Sequence, residues 1–421
     1  MSYNFGIDGD ERNYLRELAK KVLEYANLPV MEERKKLWYR HNSLKGEKPV
    51  LVMEYNTFEN DILPESQCKS GAAREMERNL MRTIVNHELI DDDKVVSPYY
   101  TVFWNISMLP FGEELKRTHA KDSSGRAIGY QQVHLISDLK EDFPKLRPSV
   151  YSVNREYTAA WKEAVENILG DILTVKIKND SLRWYVAPSQ RAVELMGLEA
   201  MMFSMVDYPD EVHRLYDFIK EDTLAYVKWQ EKEGLLTLNN ENDYAGAGSY
   251  GFSRELPTQE CIEAGHVGPR DLWLNMNSQE TVGISPSMFG EFIFPYYYEL
   301  AKLFGHVYYG CCEPLHPIWE KYISQLPGLR KVSVSPWCDE EFMGKELQSG
   351  NVIYSRKPSP NYIGVGSFDE EAFAAHIART LKAARGCKLE LIFRDVYTLC
   401  GEPERPGRAV KIARDLIDRL W

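Results

Sequence analysis

Pro49-Val50-Leu51-Val52-Met53-Glu54 is where the grammar of this chain changes. Four apolar residues in a row, bounded by a proline and a charge, have the form of a strand buried on both faces. Before this point the chain reads as helix. Leu15, Leu18, Ala19, Val22 and Ala26 recur at helical spacing, with Lys and Arg on the opposite face. After it, short apolar runs alternate with helical patterns. Strands are predicted at Tyr99–Trp104, Arg183–Ala187, Leu235–Leu238, His306–Tyr309, Lys331–Ser335, Val352–Ser355 and Leu389–Phe393. A helix is predicted over Pro209–Lys232, with Val212, Leu215, Tyr216 and Ile219 on one face and acids in its first turn. Ser285-Pro286 opens another, serine as N-cap and proline at the first helical position. Phe373, Ile377, Leu381 and Ala384 mark a third; Ala409, Ile412, Ala413, Leu416 and Leu420 mark a fourth.

Strand–helix alternation of this kind predicts a parallel α/β fold. No Ser/Gly linker, low-complexity tract or internal repeat divides it. The expectation is a (β/α)8 TIM barrel over residues 49–421, preceded by an N-terminal helical extension over residues 1–48; a doubly wound sheet is the competitor. A length of 421 residues suits a barrel with insertions.

The 51 basic and 63 acidic residues leave a net charge of −12. No basic block stands out, so a surface that tracks nucleic-acid phosphates is not expected. The start, Met1 to Asp10, lacks the basic residues and apolar run of a secretory signal. The most apolar stretch, Phe292–Phe304, is broken by Pro295, Glu299 and Lys302 and is too short to span a bilayer. Seven cysteines are too sparse, and odd in number, for a disulfide scaffold. These features together predict a cytoplasmic enzyme with no membrane or nucleic-acid partner.

In a barrel, residues just after a strand lie at the catalytic face. Leu235–Leu238 runs into Asn239-Asn240-Glu241-Asn242-Asp243-Tyr244, His306–Tyr309 into Gly310-Cys311-Cys312-Glu313-Pro314, and Leu389–Phe393 into Arg394–Pro403. Two thiolates, Cys312 and Cys400, with one oxygen or nitrogen ligand and an open position would make a catalytic zinc site. Against that stands the ordinary burial of cysteine as a small hydrophobe. Adjacent Cys311 and Cys312 also cannot both face inward while the chain is extended. Glu241 and Asp243 are candidates for a metal ligand and a substrate-orienting acid, or else belong to a solvated loop. Gly246-Ala247-Gly248-Ser249-Tyr250-Gly251 matches G-x-G-x-x-G, but Arg254-Glu255-Leu256-Pro257 stands where an apolar helix should begin. A flexible active-site loop is the better reading there. Arg356 and Lys357 follow a predicted strand and can meet an anionic substrate group, or form an exposed charge pair. No nucleophile elbow, P-loop or His-Glu-x-x-His is present.

Three segments resemble one family. Ser285-Pro286-Ser287-Met288-Phe289-Gly290-Glu291-Phe292-Ile293-Phe294-Pro295-Tyr296 resembles the SPEMFREFVLPY helix of the uroporphyrinogen decarboxylase superfamily, which includes zinc-dependent methyltransferases that work with corrinoid proteins. Tyr309 to Glu320 resembles their HxCG…PIxE segment, and Cys400-Gly401-Glu402-Pro403-Glu404-Arg405-Pro406 their GCGxPxxTP segment. Asp243 stands where they carry an acid after the preceding strand. The resemblance spans roughly residues 45–421 and is clearest after about residue 195. It implies a barrel with zinc held by Cys312 and Cys400. The histidine of His-x-Cys is Gly310 here, so the third ligand must come from elsewhere: Glu241 first, then Glu313, Cys311 or Asp243. The paired-arginine RQAGR segment of true uroporphyrinogen decarboxylases is replaced by Met53-Glu54-Tyr55-Asn56. Without those arginines the porphyrinogen carboxylates lose their partners, and that activity is not expected.

The resemblance therefore implies a methyltransferase, moving a methyl group between a small methylated molecule, such as an O-methyl ether, and a corrinoid on a separate protein. Zinc would act as Lewis acid. Asp243 would orient the substrate, Tyr244 and Tyr309 would stack on it or donate to it, and Glu313 and Arg356 would contact it. The alternatives are a cofactor-free decarboxylase or lyase, and a non-catalytic barrel that binds a corrinoid or small molecule. Oligomeric state is left open, a homodimer included.

Overall fold

Val50–Met53 forms a strand, β1, in which all four residues are buried, as a run without alternation requires. In the computed structural model, which describes residues 3–114, 116–121 and 127–421, it belongs to a mixed α/β fold. Met1 and Ser2 of the stretch read for a signal lie outside the described residues. The remaining strands are β2 Tyr99–Phe103, β3 Ile106–Leu109, β4 Arg117–Lys121, β5 Ala127–Gln132, β6 Val150–Val153, β7 Thr174–Lys178, β8 Tyr244–Gly246, β9 Ser249–Tyr250, β10 Trp273–Met276, β11 His306–Tyr309, β12 Leu329–Val334, β13 Ile353–Arg356 and β14 Leu389–Phe393.

Six of them form one sheet in the order β1-β14-β13-β12-β11-β10, every pair parallel. Parallel neighbours need a crossover, and helices supply it. Pro286–Phe292 and Phe294–Ala301 lie between β10 and β11, Glu340–Leu347 between β12 and β13, and Glu370–Ala383 between β13 and β14. Their apolar faces and the strands share one large core, with Phe289, Tyr297, Met343, Phe373 and Ile377 packed beside Leu51, Leu274, Val332 and Leu391. Among the described residues, no helix is long and apolar enough to cross a membrane.

The two outer strands of this sheet are met by side chains. Beside β1, Leu51 N–H donates to Asp93 Oδ2 (2.8 Å) and Met53 N–H to Asp92 Oδ2 (2.7 Å). Beside β10, one amide does both jobs: Asn239 Oδ1 accepts from Trp273 N–H (2.8 Å) and Asn239 Nδ2 donates to Trp273 O (3.0 Å). Farther out, β2 and β7 form a separate parallel pair.

The helix predicted over Pro209–Lys232 is present with those bounds, and Ser285 caps its helix by accepting from Met288 N–H. Two predicted strands are absent. Arg183–Ala187 is a turn with Trp184 at φ 62°, leading into the helix Pro188–Met196; Leu235–Leu238 forms no strand. β7 and β10 arise where no strand was expected, as do the antiparallel pairs β3–β6, β4–β5 and β8–β9. The last of these is the G-x-G-x-x-G stretch. It is a buried hairpin rather than a flexible loop, and no helix begins directly after it, the next being Gln259–Ala264. A side chain at Gly248 would meet Ile392 at 2.3 Å, so glycine is what lets the hairpin reach the sheet.

The N-terminal residues are helical as expected, over Gly9–Ala26 and Pro29–Asn42. The second helix inserts Trp38, His41 and Asn42 at the amino ends of the strands. Asn42 Nδ2 donates to Tyr250 O (2.9 Å) and Phe252 O (2.8 Å). Beneath it lies a fully buried ionic group. Lys331 of β12 meets Glu390 of β14 at 3.0 Å, His41 lies 3.3 Å from the same carboxylate oxygen, and Ser249 Oγ bridges to both Lys331 and Glu390.

Candidate functional site

At the other end, the carboxyl ends of the strands gather polar groups, the position that parallel sheets reserve for ligands. Lys178, the last residue of β7, reaches Asp243 at 3.0 Å and donates to Leu238 O at 2.8 Å. Burial lifts the Asp243 carboxyl above its ordinary range, with the Lys178 ammonium working in the opposite direction. The pair lines a cavity of about 600 Å3, together with Tyr99, Arg183, Tyr244 and Asn275. Among the described residues, neither amide atom of buried Asn275 has a hydrogen-bond partner. Buried amides without partners are uncommon, and Asn275 is among the residues that line this cavity.

Tyr244 forms part of the cavity wall but its hydroxyl is engaged. It donates to Glu54 Oε1 (3.2 Å) and accepts from Gly248 N–H (2.8 Å), and Arg183 packs over its ring. Glu54, just after β1, pairs with Arg394, just after β14, at 3.2 Å. Lys357, just after β13, is buried and donates to Ser355 Oγ (2.5 Å) and to the Tyr308 hydroxyl. With its nearest partners uncharged hydroxyls, burial pushes its ammonium down to about 7.

Two expected substrate contacts fall on the opposite face of their strands. Tyr309 turns outward to Ser278 Oγ (2.6 Å) and the Tyr297 ring, while Tyr308 is the inward residue. Arg356 turns outward too. Its guanidinium donates to Val334 O (3.1 Å), Ser335 O (2.5 Å) and the Glu340 carboxylate, leaving Lys357 inside. Neither residue lines the cavity. Glu313 is buried and accepts from Ser278 N–H and Cys311 N–H, both at 2.9 Å, and so braces the chain after β11.

The residues expected to bind zinc do not meet. Glu241 lies in an exposed turn, 3.7 Å from Lys176. Cys400 is exposed and faces Gly364 O at 3.8 Å. Cys312 is exposed as well and contacts Cys311. Among the described residues, no three Cys, His, Asp or Glu side chains gather closely enough to hold a metal ion. Cys312, Cys400 and Glu241 are therefore not gathered as one ligand set in this structure.

At Gly310 the backbone takes a conformation that favours glycine. Its φ is 96°, and a Cβ there would come within 3.1 Å of both Leu315 Cδ1 and Ser333 Cβ. The backbone itself is built for glycine, and a larger residue there would be strained. Gly310→Ala is expected to cost about 1–3 kcal/mol of stability. A lower denaturation midpoint at unchanged slope would show it; an unshifted midpoint would contradict it.

Sequence reasoning missed Lys178, Arg183, Asn275 and the Glu54–Arg394 pair. The available signal for Lys178 was the alternation Thr174-Val175-Lys176-Ile177-Lys178, which ends in a charge just where a strand would open onto its carboxyl end.

No protein-family model matches the chain, and no curated protein does either. Among solved structures, it is similar to a methyltransferase from Methanosarcina mazei, with 14% identity, a TM-score of 0.49, and coverage of 92% of this chain and 98% of that one.

Proposed function

We propose that this chain is an enzyme that removes a methyl group from a small methylated molecule bound in the Lys178–Asp243 cavity. In this reading the fold is a (β/α)8 barrel, with β2, β7 and the segment after Leu235 completing a ring around the six-stranded sheet. The observation that carries the site is the buried, oppositely charged pair beside the unpartnered amide of Asn275. The three segments that resemble the uroporphyrinogen decarboxylase superfamily support the choice of methyl transfer. The acceptor in this reading is a corrinoid on a separate protein docked at the mouth, and no step passes through zinc.

The chain's own residues then have the following tasks. Tyr244 and Tyr99 flank a ring of the substrate, and Asn275 fixes its orientation through one donor and one acceptor. As the methyl carbon passes to the acceptor, the C–O bonding pair stays on oxygen. The Lys178–Asp243 pair supplies that oxygen with a proton and keeps the developing charge out of water.

Incubation with methyl phenyl ethers and chemically reduced cobalamin is expected to release the corresponding phenol. A second reading, a cofactor-free decarboxylase, is favoured by Lys178 and Arg183 standing in one cavity where they can hold a carboxylate. Loss of CO2 from carboxylated rings with no acceptor present, and no phenol from any ether, would replace the first reading by the second.

A further inference from the structure

The residues after β11 leave the extended conformation at Gly310, and the turn brings two neighbouring sulfurs together: Cys311 Sγ and Cys312 Sγ are 3.5 Å apart. In an extended strand they would point to opposite faces. The turn is held in place by Cys311 N–H donating to Glu313 Oε2 (2.9 Å) and Ser333 Oγ donating to Cys311 O (2.7 Å). Of the pair, Cys312 is exposed and Cys311 buried, so a reagent from solution meets Cys312 first and Cys311 waits behind it. The hydrogen bond between the two sulfurs lowers the Cys312 thiol and, together with burial, raises that of Cys311, with the Arg394 guanidinium acting in the lowering direction on both.

We infer that Cys311 and Cys312 are a reversible oxidation site, closing to a disulfide between adjacent residues at the expense of a low-molecular-weight disulfide such as oxidised glutathione. The Cys312 thiolate attacks one sulfur of the reagent, forming a mixed disulfide and expelling one thiolate. The Cys311 thiol gives up its proton to that thiolate and attacks Cys312 sulfur. The mixed bond breaks and the second reagent thiolate leaves, to be protonated by solvent. Two cysteine S–H groups are oxidised and one reagent disulfide is reduced to two thiols. Adjacent Cα atoms are about 3.8 Å apart, closer than the usual span of a disulfide. The ring is therefore strained and easily reopened by thiols, as suits a reversible bond rather than a structural one.

This inference is independent of the methyl-transfer reading and is tested without a substrate. The Cys400→Ser protein, which lacks the other exposed thiol, is treated with oxidised glutathione and then digested with trypsin. Both cysteines fall in the single peptide 303–321. The expected product is that peptide lighter by two hydrogens, with no glutathione attached, and restored by dithiothreitol. Adding Cys311→Ser is expected to trap glutathione stably on Cys312, and adding Cys312→Ser to leave the peptide unmodified. A peptide that stays fully reduced, or one that accumulates a stable glutathione adduct while both cysteines are present, would overturn the inference.

Discussion

Asp243→Asn is expected to lower demethylation by about 10²–10⁴-fold, the range for losing a positioned acid–base group. The substitution preserves shape, and an amide oxygen at the Oδ2 position can still accept from Lys178 and from Glu241 N–H, while its NH2 replaces the Oδ1 that now lies 3.0 Å from the Lys178 ammonium. It removes the counter-charge that keeps Lys178 paired and the site that shares its proton. The loss should fall on kcat, with KM little changed, because Tyr244 and Asn275 still seat the substrate. The pH profile carries a second signature. Burial raises the Asp243 carboxyl, so a rate that depends on its proton is full below that raised value and falls as pH climbs through it. That limb should vanish in Asp243→Asn. A variant that turns over within a few-fold of the parent, with the limb intact, would remove Asp243 from the chemistry.

The larger stability effect is expected at the opposite end of the strands. Lys331→Met leaves the Glu390 carboxylate fully buried without its ammonium, a change worth about 3–5 kcal/mol. Lys331 also lies between the rings of Trp38 and Trp273, at 5.1 and 5.4 Å from their centroids, so little water can reach the site to compensate. Pairing the change with Glu390→Leu should recover much of the loss, since two apolar side chains leave no stranded charge. Denaturation of both variants decides it: equal losses in the single and double variants would mean that packing, not charge, dominates here. The same group sets the acid limit. Burial alone would raise the Glu390 carboxyl, but Lys331 and His41 outweigh it and hold it well below the carboxylate range. A depressed acid contributes stability above its unfolded value, about 4.3, and loses it as pH falls from there toward the folded value. Burial likewise depresses His41, so the unfolded chain takes up a proton first and stability begins to fall below about 6.5.

How much the sequence disclosed depended on which physical signal each feature leaves. Helices were legible because caps and one-sided apolar stripes mark them, as at Ser285 and over Pro209–Lys232. Strands such as Leu389–Phe393 were legible as strands, but not by face. A strand buried on both sides is apolar on both, so nothing in His306–Tyr309 says that Tyr308 and not Tyr309 turns inward. The same ambiguity exchanged Arg356 for Lys357. Asp243 was reached because it follows an apolar run, even though that run, Leu235–Leu238, does not pair as a strand. Its partner Lys178 was missed because β7 alternates with lysines and looks solvated. Cysteines far apart in sequence could be matched to a family pattern, whereas the meeting of Cys311 with Cys312 depends on a turn that only Gly310 permits.

The side chains that meet β1 and β10 have a consequence beyond the fold of one molecule. Peptide groups on the sides of β1 and β10 turned away from β14 and β11 would be open to any other extended chain unless the molecule itself engaged them, and such rows template self-association. Asp92, Asp93 and Asn239 occupy those rows with groups from the same molecule. Protection against strand addition is thereby assigned to three small polar residues, none of them on a ladder strand of that sheet, and each can be removed without emptying the core.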